Sequence, residues 1–144
     1  MRSNVFVSGV IALLLLTGCD SPTAPQEVSS DGTTVTATTR FDGVLDPGGA
    51  SFYSFTTLQT GSVRATLQSL TAPGRPEAVS VPVSVGVGVP RGEGCVVSES
   101  VETPSGLATQ FVSSALAPGT YCLSVRDPGR LPFTVTFVVR FSYL

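Results

Sequence analysis

Val79-Ser80-Val81-Pro82-Val83-Ser84-Val85-Gly86-Val87-Gly88-Val89 is the stretch that decides the fold class. Valine stands at every odd position, and serine, proline or glycine at every even one. Successive side chains of a strand point to opposite faces, so this spacing puts an unbroken valine stripe on one side. A helix would scatter the same valines around its surface and carry two glycines and a proline in its interior, all unfavourable there. The spacing predicts a strand over 79–89 with one apolar face and one nearly bare face. Pro82 cannot donate to a ladder, which predicts an edge or a bulge. Gly86 and Gly88 predict a bend or the close approach of another backbone.

The same alternation recurs on both sides. Phe133, Val135, Phe137, Val139, Phe141 and Tyr143 share a face near the C-terminus, and Val63, Ala65 and Leu67 share one earlier. Val35–Phe41 opens the pattern, and Ala50–Thr56 with Phe52, Tyr53 and Phe55 is a short strand. Cys95–Val97, Leu107–Leu116 and Tyr121–Val125 supply three more. Between them stand turn formers: Asp42-Gly43, Asp46-Pro47-Gly48-Gly49, Gly61-Ser62, Pro90–Gly94, Thr103–Gly106, Ala117–Thr120 and Asp127-Pro128-Gly129. Residues 71–78 form a loop with Pro73, Gly74 and Pro76. The sum is an all-β chain of about eight strands, the pattern of a single antiparallel sandwich or barrel.

Composition narrows the chemistry. The chain has no histidine and no lysine. That removes Ser-His-Asp, Cys-His, Ser-Lys and Schiff-base catalysis, together with the commonest metal ligand. The remaining acids, Glu93, Glu99 and Glu102 among them, form no pair that their spacing singles out for glycoside hydrolysis. The sequence therefore points away from an enzyme. Arginines at 40, 64, 75, 91, 126, 130 and 140 are spread along the chain with no cluster, so neither nucleic acid nor a polybasic membrane contact is expected.

The N-terminus sets the compartment. Arg2 precedes an apolar run, Val5–Leu16, that is too short for the roughly 20 residues a membrane span needs. It has the form of a secretory signal over residues 1–18. Leu16-Thr17-Gly18-Cys19 resembles the lipobox of bacterial lipoproteins. The resemblance implies cleavage before Cys19, lipid on its thiol and anchoring in a membrane by acyl chains. Residues 19–34, with Pro22, Pro25 and few apolar residues, form a flexible tether. Residues 35–144 form the folded domain. Without residues 1–18 the formal charge is −3.

Cys95 and Cys122 are then an even pair in an exported chain, and a disulfide is the expected state. The alternative is a redox or metal-ligating pair, for which the spacing is not C-x-x-C and no histidine is present to complete a zinc site.

Phe41-Asp42-Gly43-Val44-Leu45-Asp46-Pro47-Gly48-Gly49 followed by Ser51-Phe52-Tyr53-Ser54-Phe55 resembles the opening of bacterial pre-peptidase C-terminal domains. Leu116–Val125, with Gly119, Tyr121 and Val125, resembles their strand near the end. The resemblance implies a jelly-roll-like β-sandwich and a module that usually accompanies secreted proteases. Some members of that family bind polysaccharide or collagen, and related modules bind calcium through acidic residues. Asp42, Asp46 and Asp127 are the calcium candidates here, and each also fits a turn, where aspartate before glycine or proline is common. No other metal or cofactor is expected. Two functions follow as expectations. One is a tethered module that recognises a protein or polysaccharide through an exposed patch. The other is a structural or assembly accessory with an open sheet edge, for which Val85–Val89 is the candidate.

Overall fold

The computed structural model describes residues 36–75 and 77–144, so the expected signal segment, Cys19 and the expected tether lie outside the described residues. Eight strands follow in order: β1 (Ala37–Leu45), β2 (Ala50–Thr57), β3 (Arg64–Thr71), β4 (Val83–Arg91), β5 (Gly94–Thr103), β6 (Phe111–Val112), β7 (Gly119–Arg126) and β8 (Val135–Tyr143). They form two four-stranded sheets, ordered β1-β8-β3-β6 and β2-β7-β4-β5. Every pairing is antiparallel.

The order has a simple origin. β1 pairs with β8, β2 with β7, β3 with β6 and β4 with β5. The chain is thus one long hairpin, its tip at Gly92-Glu93, folded over so that its strand pairs alternate between two sheets. That is the jelly-roll sandwich. Arg91 and Gly94 are paired, leaving a two-residue turn, and Gly92 has φ 57°. Glycine at the first central position is what a type II′ hairpin turn demands.

The core sits between the sheets. Val83, Val85 and Val87 of β4, Leu123 and Val125 of β7, and Val135, Phe137, Val139 and Phe141 of β8 are all fully or nearly fully buried. The valine stripe is therefore the inner face of β4, as its spacing predicts. An aromatic run closes one side: Phe41 on Phe137 at 5.0 Å, Tyr53 on Phe141 at 5.7 Å, Phe55 on Phe141 at 5.3 Å and Phe55 on Tyr143 at 4.7 Å between ring centres. Such tilted and edge-on contacts add about 0.5–1.5 kcal/mol each beyond area burial. Gly43, expected in a turn, lies instead inside β1 opposite Phe137. A β-carbon there would stand 3.1 Å from the ring, so glycine gives the phenyl group its room.

Several expected boundaries move. β4 starts at Val83 rather than Val79, and the bulge falls between Val87 and Gly88 rather than at Pro82. β4 also continues through Pro90 and Arg91, so the expected turn over 90–94 shrinks to its centre. β5 is ten residues long, not a short strand at Cys95–Val97. The expected strand over 107–116 contracts to the two residues of β6, with Leu107 92% exposed. Phe133 precedes β8 and is exposed. Val85–Val89 is no sheet edge, because β4 lies between β7 and β5. β3 also carries a bulge, between Leu67 and Ser69, which returns Leu70 to the core face after Ala65 and Leu67.

The bare face of β4 has a specific use. Cys95 of β5 and Cys122 of β7 flank β4 and form a disulfide with their Cα atoms 6.0 Å apart. Strands separated by a third normally stand roughly 9–10 Å apart. The sheet therefore folds sharply, and β5 curls onto the outer side of β4 at the bulge. A β-carbon at Gly88 would lie 2.6 Å from the Cα of Val97, and one at Gly86 would lie 2.6 Å from the Cβ of Ser100. Both would also strike a backbone carbonyl of β5. The close approach expected of these glycines is the neighbouring strand itself. It also explains why Cys122 and Ser124, on the outer side of β7, are buried.

Candidate functional site

The outer face of the β1-β8-β3-β6 sheet is polar and open. Outward positions alternate with the core stripe, so β1 presents Thr38, Arg40 and Asp42, β8 presents Arg140 and Ser142, and β3 presents Arg64, Thr66 and Gln68. The register aligns them. Arg40 stands opposite Arg140, which stands opposite Thr66, and Thr38 stands opposite Ser142, which stands opposite Arg64. Three arginines far apart in the chain thus share adjacent positions on three neighbouring strands. This corrects the expectation of scattered arginines. Strand alternation places each of them outward, but only the order β1-β8-β3 reveals the cluster.

Like charges directly opposite one another across a strand pair are unfavourable. Arg40 is offset by Asp42, whose Oδ1 lies 3.2 Å from its Nε. Both side chains are mostly exposed, so this ion pair contributes little. Among the described residues, no carboxylate pairs with Arg64 or Arg140.

A loop turns this face into a groove. The segment 104–116, which includes the short β6, runs along the outer side of β3. Gly106 N–H donates to the carbonyl of Leu67 at 2.8 Å, Gln110 N–H to that of Ala65 at 3.1 Å and Ser113 N–H to that of Val63 at 2.9 Å. The Gln110 side chain accepts from Leu67 N–H at 2.7 Å, and the Ser113 hydroxyl accepts from Val63 N–H at 2.8 Å. The edge of β3 is thereby satisfied. The loop stands as a wall, with Leu107 and Thr109 facing the sheet residues across a groove of about 310 Å³.

The calcium candidates do not line the groove and do other work. Asp42 belongs to the pair with Arg40. Asp46 closes the β1–β2 turn: its carbonyl accepts from Gly49 N–H at 2.8 Å and its carboxylate from the Thr134 hydroxyl at 2.6 Å. Asp127 is 1% exposed. Its carboxylate accepts from Gly48 N–H and Arg130 N–H, both at 2.8 Å, and from Leu131 N–H at 3.2 Å. Burial pushes its pKa up, but the backbone donors of Gly48, Arg130, Leu131 and Gly129 outweigh this and hold it below the ordinary carboxylate value. A ring of N–H groups is the setting of an anion rather than of a cation ligand. Among the described residues, no grouping of three or more His, Cys, Asp or Glu side chains is arranged to hold a metal ion.

Other carboxylates are engaged singly. Glu102 pairs with Arg130 at 2.8 Å, and Glu99 accepts from Ser114 N–H at 2.8 Å. The exposed apolar residues are spread over the surface, with one grouping at the β4–β5 hairpin: Val89, Val96 and Val97. Among the described residues, no helix is long and apolar enough to cross a membrane. Comparison with protein-family models and with curated proteins finds no match to this sequence.

Proposed function

We propose that this chain is a lipid-anchored protein of the cell envelope whose β-sandwich binds a protein or polysaccharide and catalyses no reaction. The observation that carries the reading is the groove on the β1-β8-β3 face. It is shaped by a backbone-anchored loop, lined by hydrogen-bonding side chains and open to solvent. The Cys95–Cys122 cystine supports an oxidising compartment, where such bonds persist. The lipobox-like Leu16–Cys19 supports the anchor. A second reading, an assembly accessory, draws on β5. It ends its sheet, and its ten residues carry no backbone hydrogen bonds on the outer side among the described residues. An extended partner strand could add there.

Mass spectrometry of the protein recovered from membranes tests the anchor. The expected N-terminus is an acylated Cys19, and Cys19→Ser should abolish both acylation and membrane retention. Recovery of the full-length, unmodified chain from the cytosol would overturn the proposal. Cross-linking in intact envelopes, with the groove variants described next, tests the binding role.

A further inference from the structure

We propose that the groove takes an acidic polysaccharide, with Arg64 and Arg140 binding sugar carboxylates and Thr38, Thr66, Gln68 and Ser142 binding its hydroxyls. This rests on the binding role proposed above and names its ligand class. Three observations carry it. Arg64 and Arg140 sit at diagonal positions on adjacent strands, both outward and both without a carboxylate partner among the described residues. Diagonal neighbours of this kind lie roughly 7–8 Å apart or less, within reach of one another's long side chains. Two guanidinium groups within such reach can share one anion, and a carboxylate matches the guanidinium fork bidentately.

The surrounding groups select the kind of anion. The groove offers hydroxyls and an amide at strand spacing, both donors and acceptors, which suits a chain of sugar hydroxyls. Asp42 on the same face limits the positive field. A bilayer of anionic lipid is held by clusters of about four to eight basic residues, and nucleic acid by many phosphate contacts, whereas this groove offers two unpaired arginines. The groove is also open to solvent, so a polymer lying across the sheet can reach its floor.

The test uses the protein purified from membranes in neutral detergent and polygalacturonate, a polymer with a carboxylate on every sugar. Its fully methyl-esterified form is the control. The wild type should bind the acid polymer, weaken as salt rises and bind the ester at least tenfold more weakly. Arg64→Gln with Arg140→Gln should lose tenfold or more in affinity for the acid polymer. Both positions are exposed, so the thermal midpoint should stay within a few degrees and report intact folding. Equal binding by the variant, or equal binding of the ester, would overturn the inference. So would arginine-dependent binding to DNA or anionic vesicles in place of the polymer. Arginine-independent capture of an envelope protein or a neutral glycan would remove the acidic-sugar assignment and leave the broader binding role standing. Absence of lipid on Cys19 would remove the anchor alone.

Discussion

Cutting the bridge between β5 and β7 is the sharpest test of the structural reasoning. Cys95→Ser is the suitable perturbation. Position 95 is partly exposed, so the new hydroxyl can reach water, while the fully buried Cys122 keeps its sulfur and its packing. The bridge joins residues 27 apart in the chain. On the chain-entropy model, closing a loop of that size in the unfolded state stabilises the fold by about 3.6 kcal/mol at 25 °C. Domains of this size are stable by only about 5–15 kcal/mol, so the variant should lose a large share. At roughly 4–5 °C per kcal/mol the thermal midpoint should fall by about 15 °C. Equilibrium urea unfolding followed by tyrosine fluorescence gives the free energy directly, and the midpoint should drop by about 2 M. The slope should rise slightly, because the uncrosslinked chain exposes more surface. Reducing the wild type should reproduce the loss. A loss below about 1 kcal/mol would refute the loop-entropy reasoning, and two titratable thiols in the untreated protein would refute the bridge.

Other outcomes follow from the same structure. Gly88→Ala should destabilise by at least 1–3 kcal/mol, about the cost of overpacking a tight site, seen as a lower thermal midpoint, because its methyl group would meet the β5 backbone. A variant as stable as the wild type would mean that β5 does not lie against β4 there. Asp127→Ala should cost about 1–3 kcal/mol in urea unfolding, since it strands the buried N–H of Leu131 and releases the part-buried N–H groups of Gly48 and Arg130. The pH dependence has a definite sign. The folded carboxylate titrates below the ordinary aspartate value, so its contribution is present above that value and is lost as pH falls through the depressed pKa. Wild-type stability should therefore decline below about pH 4 more steeply than that of Asp127→Ala, and parallel curves would exclude this role.

Much of the fold was legible because its strongest signal is binary. Val83, Val85 and Val87 had to share a face whatever the topology, and so did Val135, Phe137, Val139 and Phe141. Glycine was harder. At Gly43 it accommodates a ring across the strand pair, and no feature of Asp42-Gly43 distinguishes that from a turn. At Gly86 and Gly88 the need for space was visible, but the occupant was a strand whose length the sequence understated. β6 was overestimated because Phe111 and Val112 look like strand residues, whereas the segment around them satisfies β3 through Gln110 and Ser113 side chains. The candidate groove was not legible at all. Arg64 and Arg140 are separated by most of the domain, and their meeting depends on β8 pairing with β3. The disulfide was the one long-range contact the sequence announced, since an even pair of cysteines behind a signal-like N-terminus is expected to join although no local pattern relates them.

The bridge over Gly88 divides the molecule's mobility unequally. β4 is hydrogen-bonded on both sides to strands that sulfur ties together, so it cannot detach unless β5 or β7 moves with it. Fluctuations of that half must be collective and correspondingly costly. The β1-β8-β3-β6 sheet has no such covalent strap among the described residues. Its strands are held by hydrogen bonds and side-chain packing alone, and this is the half that carries the groove.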